Sequence, residues 1–189
     1  MRFFLMFLLF VSLPAAAAPK DEVHAAFVRF LAMSSFKADI NSTTGKYKSK
    51  SAVEFQAPDR YRVVNDGQAP SLIIGGTMYM DMNGSLMKIP MPGLKTIMAQ
   101  YRNPDSLKQL EAGVAVESLG TETINNQPTK KYRYTTTQPH ITNNILWVAS
   151  NGNILQLETS GSMNKKPFIT LIQYSQYNSP AIKISAPKN

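Results

Sequence analysis

Two histidines, a scatter of carboxylates and one arginine pair are the first candidates in this chain for site chemistry. His24 and His140 are far apart, and neither sits in a spacing that gathers metal ligands. Both read as structural or surface residues. Asp81, Glu111, Glu117 and Glu122 are scattered, and nothing proposes the facing carboxylate pair a glycosidase needs. No G-x-S-x-G elbow, phosphate-binding loop or dinucleotide fingerprint occurs. Asn41-Ser42-Thr43 and Asn83-Gly84-Ser85 match the glycosylation pattern, but Asn83 already has a turn to make. The expectation is a protein that binds rather than catalyses, with no cofactor and no metal.

Arg60 and Arg62 flank Tyr61 in a strand-like run, so the two guanidinium groups share one face. Outside, they would be a solvated pair. Inside, each would need several acceptors, such as helix carbonyls or a ligand headgroup. Alternation alone favours the outside.

The methionines pose a similar choice. The chain has ten, and six fall between Met78 and Met98. Flexible, polarizable thioethers suit surfaces that take varied apolar partners, and they also fill gaps in ordinary cores. Leu94, Ile97, Met98 and Tyr101, at helical spacing, are equally a core stripe or a cover for a ligand.

These residues must be held by strands. Gly75-Gly76 and Asn83-Gly84 separate three apolar runs, and such dipeptides accept the positive φ of a two-residue hairpin turn. Strand-like runs cover 36–44, 46–55, 61–64, 71–74, 77–82 and 85–89. After a helical stretch they resume at 114–119, 121–124, 130–137, 145–149, 154–159, 168–177 and 182–185. An amphipathic helix is predicted over 21–34, capped by Asp21, with Val23, Ala26, Phe27, Phe30 and Leu31 on its apolar stripe. A second helix fits 104–112, with Asn103 as its cap and Pro104 at its first position. The fold class is α+β, one domain with a large antiparallel sheet.

Met1-Arg2, the apolar run Phe3–Leu13 and the small residues 15–18 make a secretory leader, with cleavage expected after Ala18. The run is shorter than the ~20 residues a bilayer span takes. The remaining 171 residues suffice for a single domain, 19–189. The chain has no cysteine, which excludes disulfide staples and a thioether-linked lipid anchor. Net charge is +8, or +7 without Arg2 of the leader. That fits plain solubility or contact with anionic lipid or polysaccharide. Without a basic run, nucleic acid is not an expected partner.

Pro58-Asp59-Arg60-Tyr61-Arg62, then Ser71-Leu72-Ile73-Ile74, a turn and Thr77-Met78-Tyr79-Met80 resemble the periplasmic lipoprotein-carrier (LolA/LolB-like) superfamily. Tyr174-Ser175-Gln176-Tyr177, Ile182-Lys183-Ile184 and Pro187 resemble mycobacterial lipid carriers of the LppX/LprG type. The resemblance implies an unclosed half β-barrel, helices over its concave side, and an apolar cavity between them. It implies a monomeric periplasmic carrier of lipid or acylated lipoprotein, with an inner- or outer-membrane protein as handover partner. The alternative on this fold is an envelope-stress sensor or accessory interaction module. By the resemblance, Arg62 is the latch of a helical lid. Met78, Met80, Leu94, Ile97, Met98 and Trp147 are the expected cavity wall. The family's tryptophan after the turn is missing; Tyr79 and Met80 stand there, and the only tryptophan is Trp147.

Overall fold

The computed structural model describes residues 17–82, 84–94, 96, 113–137 and 140–187. The first element is helix α1 (Pro19–Leu31). It begins two residues before the expected start, because Pro19 supplies a preset φ at the first position. Asp21 therefore lies in the first turn beside Glu22, where a carboxylate meets the positive end of the helix dipole, and does not cap it.

Eleven strands follow: β1 (Ser35–Thr44), β2 (Tyr47–Gln56), β3 (Arg60–Asn65), β4 (Ser71–Ile74), β5 (Thr77–Met82), β6 (Ser85–Pro90), β7 (Val116–Ile124), β8 (Gln127–Thr136), β9 (Thr142–Ala149), β10 (Ile154–Met163) and β11 (Lys166–Ser175). They form one antiparallel sheet in the order β6-β5-β4-β3-β2-β1-β11-β10-β9-β8-β7. The sheet is unclosed, with β6 and β7 at its two ends. The architecture is mostly β with one short helix among the described residues, less helical than the predicted α+β mixture. The predicted helix at 104–112 lies outside the described residues.

Local chemistry explains the pairing. Asn125 and Asn126 both take positive φ and join β7 to β8; Asn164 and Lys165 do the same between β10 and β11. Val114–Leu119 and Thr121–Ile124, predicted as two runs, are one strand that begins at Val116 and is interrupted by a register shift between Ser118 and Thr121. In β10, Gly161 is required by its neighbours: a Cβ there would stand 2.9 Å from the Ile141 carbonyl and 3.0 Å from the Phe168 ring.

Residues 182–185 are not a strand, contrary to the alternation of Ile182 and Ile184. They form an irregular segment held by side chains of β2 and β3. Arg60 donates to the Ile184 carbonyl at 2.8 Å, and the Ile184 amide donates to Gln56 Oε1 at 2.7 Å. Both isoleucines are buried.

Two buried clusters sit on the face of the sheet that meets α1. One joins Val23 and Ala26 of the helix to Tyr132, Leu146, Val148 and Ile154. The other joins Met33, Phe36, Ala38 and Phe55. Phe30 packs against both, with its ring 4.8 Å from Phe36 and 5.0 Å from Tyr174. This side is called the α1 face below.

Candidate functional site: an apolar wing on the α1 face

The register decides which way each side chain points. Phe36, Phe55, Tyr61, Ile73, Met78 and Ile89 are successive cross-strand partners from β1 to β6. Phe36 and Phe55 belong to the core against which Phe30 packs, so the whole row lies on the α1 face. The next row runs Ala38, Val53, Val63, Ser71, Met80 and Met87. Met78, Met80, Met82 and Met87 thus share one face with the core aromatics.

Burial changes along these rows. Phe55 is sealed, Tyr61 packs partly against it, and Ile73, Met78 and Met80 are half-buried. Met87 and Met82 are 41% and 51% exposed. The described residues of β3–β6 include none that is fully buried. The wing is an apolar surface continuous with the core and only partly covered.

The sequence-predicted site residues divide accordingly. Met78 and Met80 stand together on the wing, and Leu94, just beyond β6, is half-buried. Ile97 and Met98 lie outside the described residues. Trp147 is on the opposite face and lines no cavity on the α1 side. It is 4% exposed, its Nε1 donates to Glu122 Oε2 at 2.9 Å, and Lys131 Nζ lies 4.9 Å from its ring. The lysine and the indole hold the Glu122 carboxyl below its usual range.

Arg62 is likewise on the face away from α1. It donates to Glu54 Oε2 at 2.7 Å and to the Lys183 carbonyl at 3.2 Å. With Arg60 it ties down the C-terminal segment, and residues 97–112, where the lid it was expected to latch would fall, lie outside the described residues. Two arginines two residues apart must share a face, and here Tyr61 between them takes the core side.

Met87, Ile89 and Ile73 were not singled out from the sequence. The signal was present: two-residue turns at 75–76 and 83–84 force Ile73 opposite Met78 and Met80 opposite Met87.

A second concavity, of about 470 Å³, lies between α1 and the ends of β7–β9. Ala25, Ala26, Pro128 and Val148 give it apolar walls, and Glu22, Arg29 and Lys130 line it too. Its charges are already engaged. Lys130 Nζ lies 2.6 Å from Glu22 Oε1, Tyr132 donates its hydroxyl to Glu22, and Arg29 Nε donates to Asn153 Oδ1 at 3.0 Å. The bonds from Lys130 and Tyr132 hold the Glu22 carboxyl below its usual range. Burial, reinforced by Glu22, pushes the Tyr132 phenol up, and burial pushes Tyr174 up to about 12. These phenols remain neutral donors at any physiological pH. Among the described residues no cluster of His, Cys, Asp and Glu could hold a metal, and no helix is long and apolar enough to cross a membrane.

No family model matches the chain, and no curated protein matches it in sequence. Solved structures do. The lipoprotein LppX of Mycobacterium tuberculosis superposes with a TM-score of 0.66 at 16% identity, covering 88% of this chain and 97% of LppX. LprF from Mycobacterium bovis gives 0.56 at 13%, covering 90% and 97%. A chain of the Pseudomonas aeruginosa MucA/MucB complex gives 0.50 at 14%, covering 86% of this chain and 57% of that one. At these identities the shared property is the fold, an LppX-like unclosed sheet.

Proposed function

We propose that this chain is an exported carrier of acylated ligands, with residues 1–18 as its leader and the periplasm as its place of action. The wing on the α1 face is the ligand wall. Ile73, Met78, Met80, Met87 and Ile89 form it, Leu94 extends it, and the family resemblance adds Ile97 and Met98 to the proposal. One observation carries the reading: four methionines and two isoleucines stand on the α1 face of β4–β6, continuous with the core but only part-covered. Methionine adapts to acyl chains of varied shape. Each methylene moved from water to such a wall contributes about 0.8 kcal/mol, so an ordinary acyl chain supplies ample affinity without a charged contact. The LppX-like fold and the resemblance to lipid carriers support the same reading. A carrier needs no nucleophile or base, in keeping with the residues at the wing.

The test is native mass spectrometry of protein recovered from its own envelope, with binding of a fluorescent fatty-acid probe. Co-purified lipid and saturable probe binding are expected. Empty protein that ignores the probe overturns the proposal.

The similarity to the MucA/MucB complex supports a second reading, in which the fold serves as a docking module for an envelope protein. Cross-linking in intact cells separates the two: the second reading requires a stoichiometric protein partner on a protein without lipid.

A further inference from the structure

Six strands run out to a common last row: Thr136, Thr142, Gly161, Phe168, Thr44 and Tyr47, each the cross-strand partner of the next. Helix α1 packs toward the other end of these strands, on Tyr132, Leu146, Val148 and Ile154. Beyond the last row lie the Gly45-Lys46 and Asn164-Lys165 turns, and Ile141 directly precedes β9. The Gly45 amide donates to the Pro167 carbonyl at 3.0 Å, and Gly161 fits between the Ile141 carbonyl and the Phe168 ring. These tips are therefore one rim, roughly 24 Å long at the usual strand spacing. The strand beside it stops short. β3 ends at Asn65, in register with Ser51 and Ile40, four residues or roughly 13 Å before Thr44.

Two properties coincide on this rim. Among the described residues, the three most exposed large apolar side chains are Ile141, Tyr47 and Ile169, at 67%, 65% and 53%, and all three stand here with Met163. Lys46, Lys48, Lys165 and Lys166 are interleaved with them, all exposed. The segments 40–50, 134–143 and 159–170 hold no Asp or Glu. Among the described residues none of the four lysines is ion-paired; Lys46 Nζ lies 5.7 Å from the Tyr47 ring. The turns at the other end of the sheet, 57–59, 75–76, 125–126 and 150–153, hold no lysine and no large apolar residue. The pattern is thus local, not a by-product of the overall charge. Separate apolar tips spread along a line suit a planar fluid surface, which asks for no shaped pocket. Tyrosine and aliphatic tips enter the boundary of a bilayer, and lysine stems lie beside them with their ammonium groups on lipid phosphates.

We propose that this rim docks on an anionic bilayer surface, with Tyr47, Ile141 and Met163 entering the headgroup layer and the four lysines on lipid phosphates. The proposal goes beyond the carrier reading and needs no ligand on the wing. The test is co-sedimentation with vesicles of phosphatidylcholine alone and of an equimolar mixture with phosphatidylglycerol. Binding to the mixed vesicles is expected, weaker binding to phosphatidylcholine alone, and release by added salt. A lysine near such a surface is worth about fivefold in partition, so Lys46→Gln with Lys165→Gln is expected to weaken binding by at least about tenfold. Lys37→Gln with Lys183→Gln removes the same charge elsewhere. Lys37 is seven residues back along β1, roughly 23 Å and beyond a Debye length, in the row of Glu54 and Arg62, and Arg62 holds the Lys183 carbonyl. This control is expected to change binding by less than about twofold. Ile141→Ser is expected to cost about tenfold, a loss that persists in high salt, and Tyr47→Ser repeats it at a second turn. All these side chains except Lys37 are exposed, so the fold does not depend on them. Absence of sedimentation with the mixed vesicles overturns the proposal. So do equal losses from the two lysine pairs, which would assign binding to overall charge, or binding unmoved by both serine variants. Any of these with a fatty-acid probe still bound leaves the carrier reading standing.

Discussion

The two halves of the sheet use the same pleated alternation to different ends. Across β8–β10 the α1 face is closed: Leu146 is 0% and Ile154 1% exposed, under Val23 and Ala26 of the helix. Across β4–β6 the same face presents methionine, isoleucine and serine that are only half-covered. The closed half is filled by rigid branched and aromatic side chains with defined rotamers, which specify one packing. The wing is filled by thioethers, which tolerate many. One half of the sheet stabilises the fold, and the other is free to serve a ligand.

The comparison breaks most visibly in stability. Leu146→Ala is expected to cost about 2–5 kcal/mol, because a sealed site leaves a cavity. Met80→Ala, on the wing, is expected to cost less than about 1.5 kcal/mol in the ligand-free protein. Urea denaturation of both variants measures this. Equal losses would mean that the wing is core.

Binding should show the reverse order. Met80→Asp places a carboxylate on the wall and is expected to weaken a fatty-acid probe by at least about tenfold, with little change in the melting point. Unchanged probe affinity would remove Met80 from the wall.

The face away from α1 supplies a control. Arg60→Ala removes one charge-assisted bond to the Ile184 carbonyl, worth about 1–2 kcal/mol locally. Hydrogen exchange at the Ile184 amide is expected to speed up while probe affinity stays constant. Loss of binding in this variant would restore a latch-like role to the arginine pair.

The smallest effect concerns pH. Glu22 is held below the usual carboxylate range by Lys130 and Tyr132. A carboxyl lowered in the folded state stabilises above its unfolded pKa of about 4.3, and this contribution is lost as pH falls through the folded value. Stability of the closed half should therefore decline below about pH 4.3, and Glu22→Gln should flatten that decline. A decline of the same size in Glu22→Gln would assign it to other carboxyls.

Much of this was legible in the chain. Period-two runs and the glycine and asparagine turns marked β1–β6 closely and β8–β11 to within two to four residues at their ends, and Val23 was readable on the apolar stripe of the helix by spacing. What failed was direction. Alternation says that Tyr61 and Arg62 point apart, but only the pairing of β3 with β2, whose Phe55 is buried, says which points inward. Trp147 was expected in the wall through the family resemblance, whereas its indole N–H makes the opposite face workable through Glu122. The Ile182 and Ile184 alternation reads like a strand, yet it belongs to an irregular segment held by side chains over 120 residues away in sequence, and such long-range bonds leave no local pattern.

The most direct test of the ligand wall is photo-cross-linking with a diazirine fatty acid, mapped by peptide mass spectrometry. The account predicts labels on Met78, Met80 and Met87 of the α1 face. Labels confined to Leu72, Tyr79 and Lys88, the alternating residues of the opposite face, would contradict it.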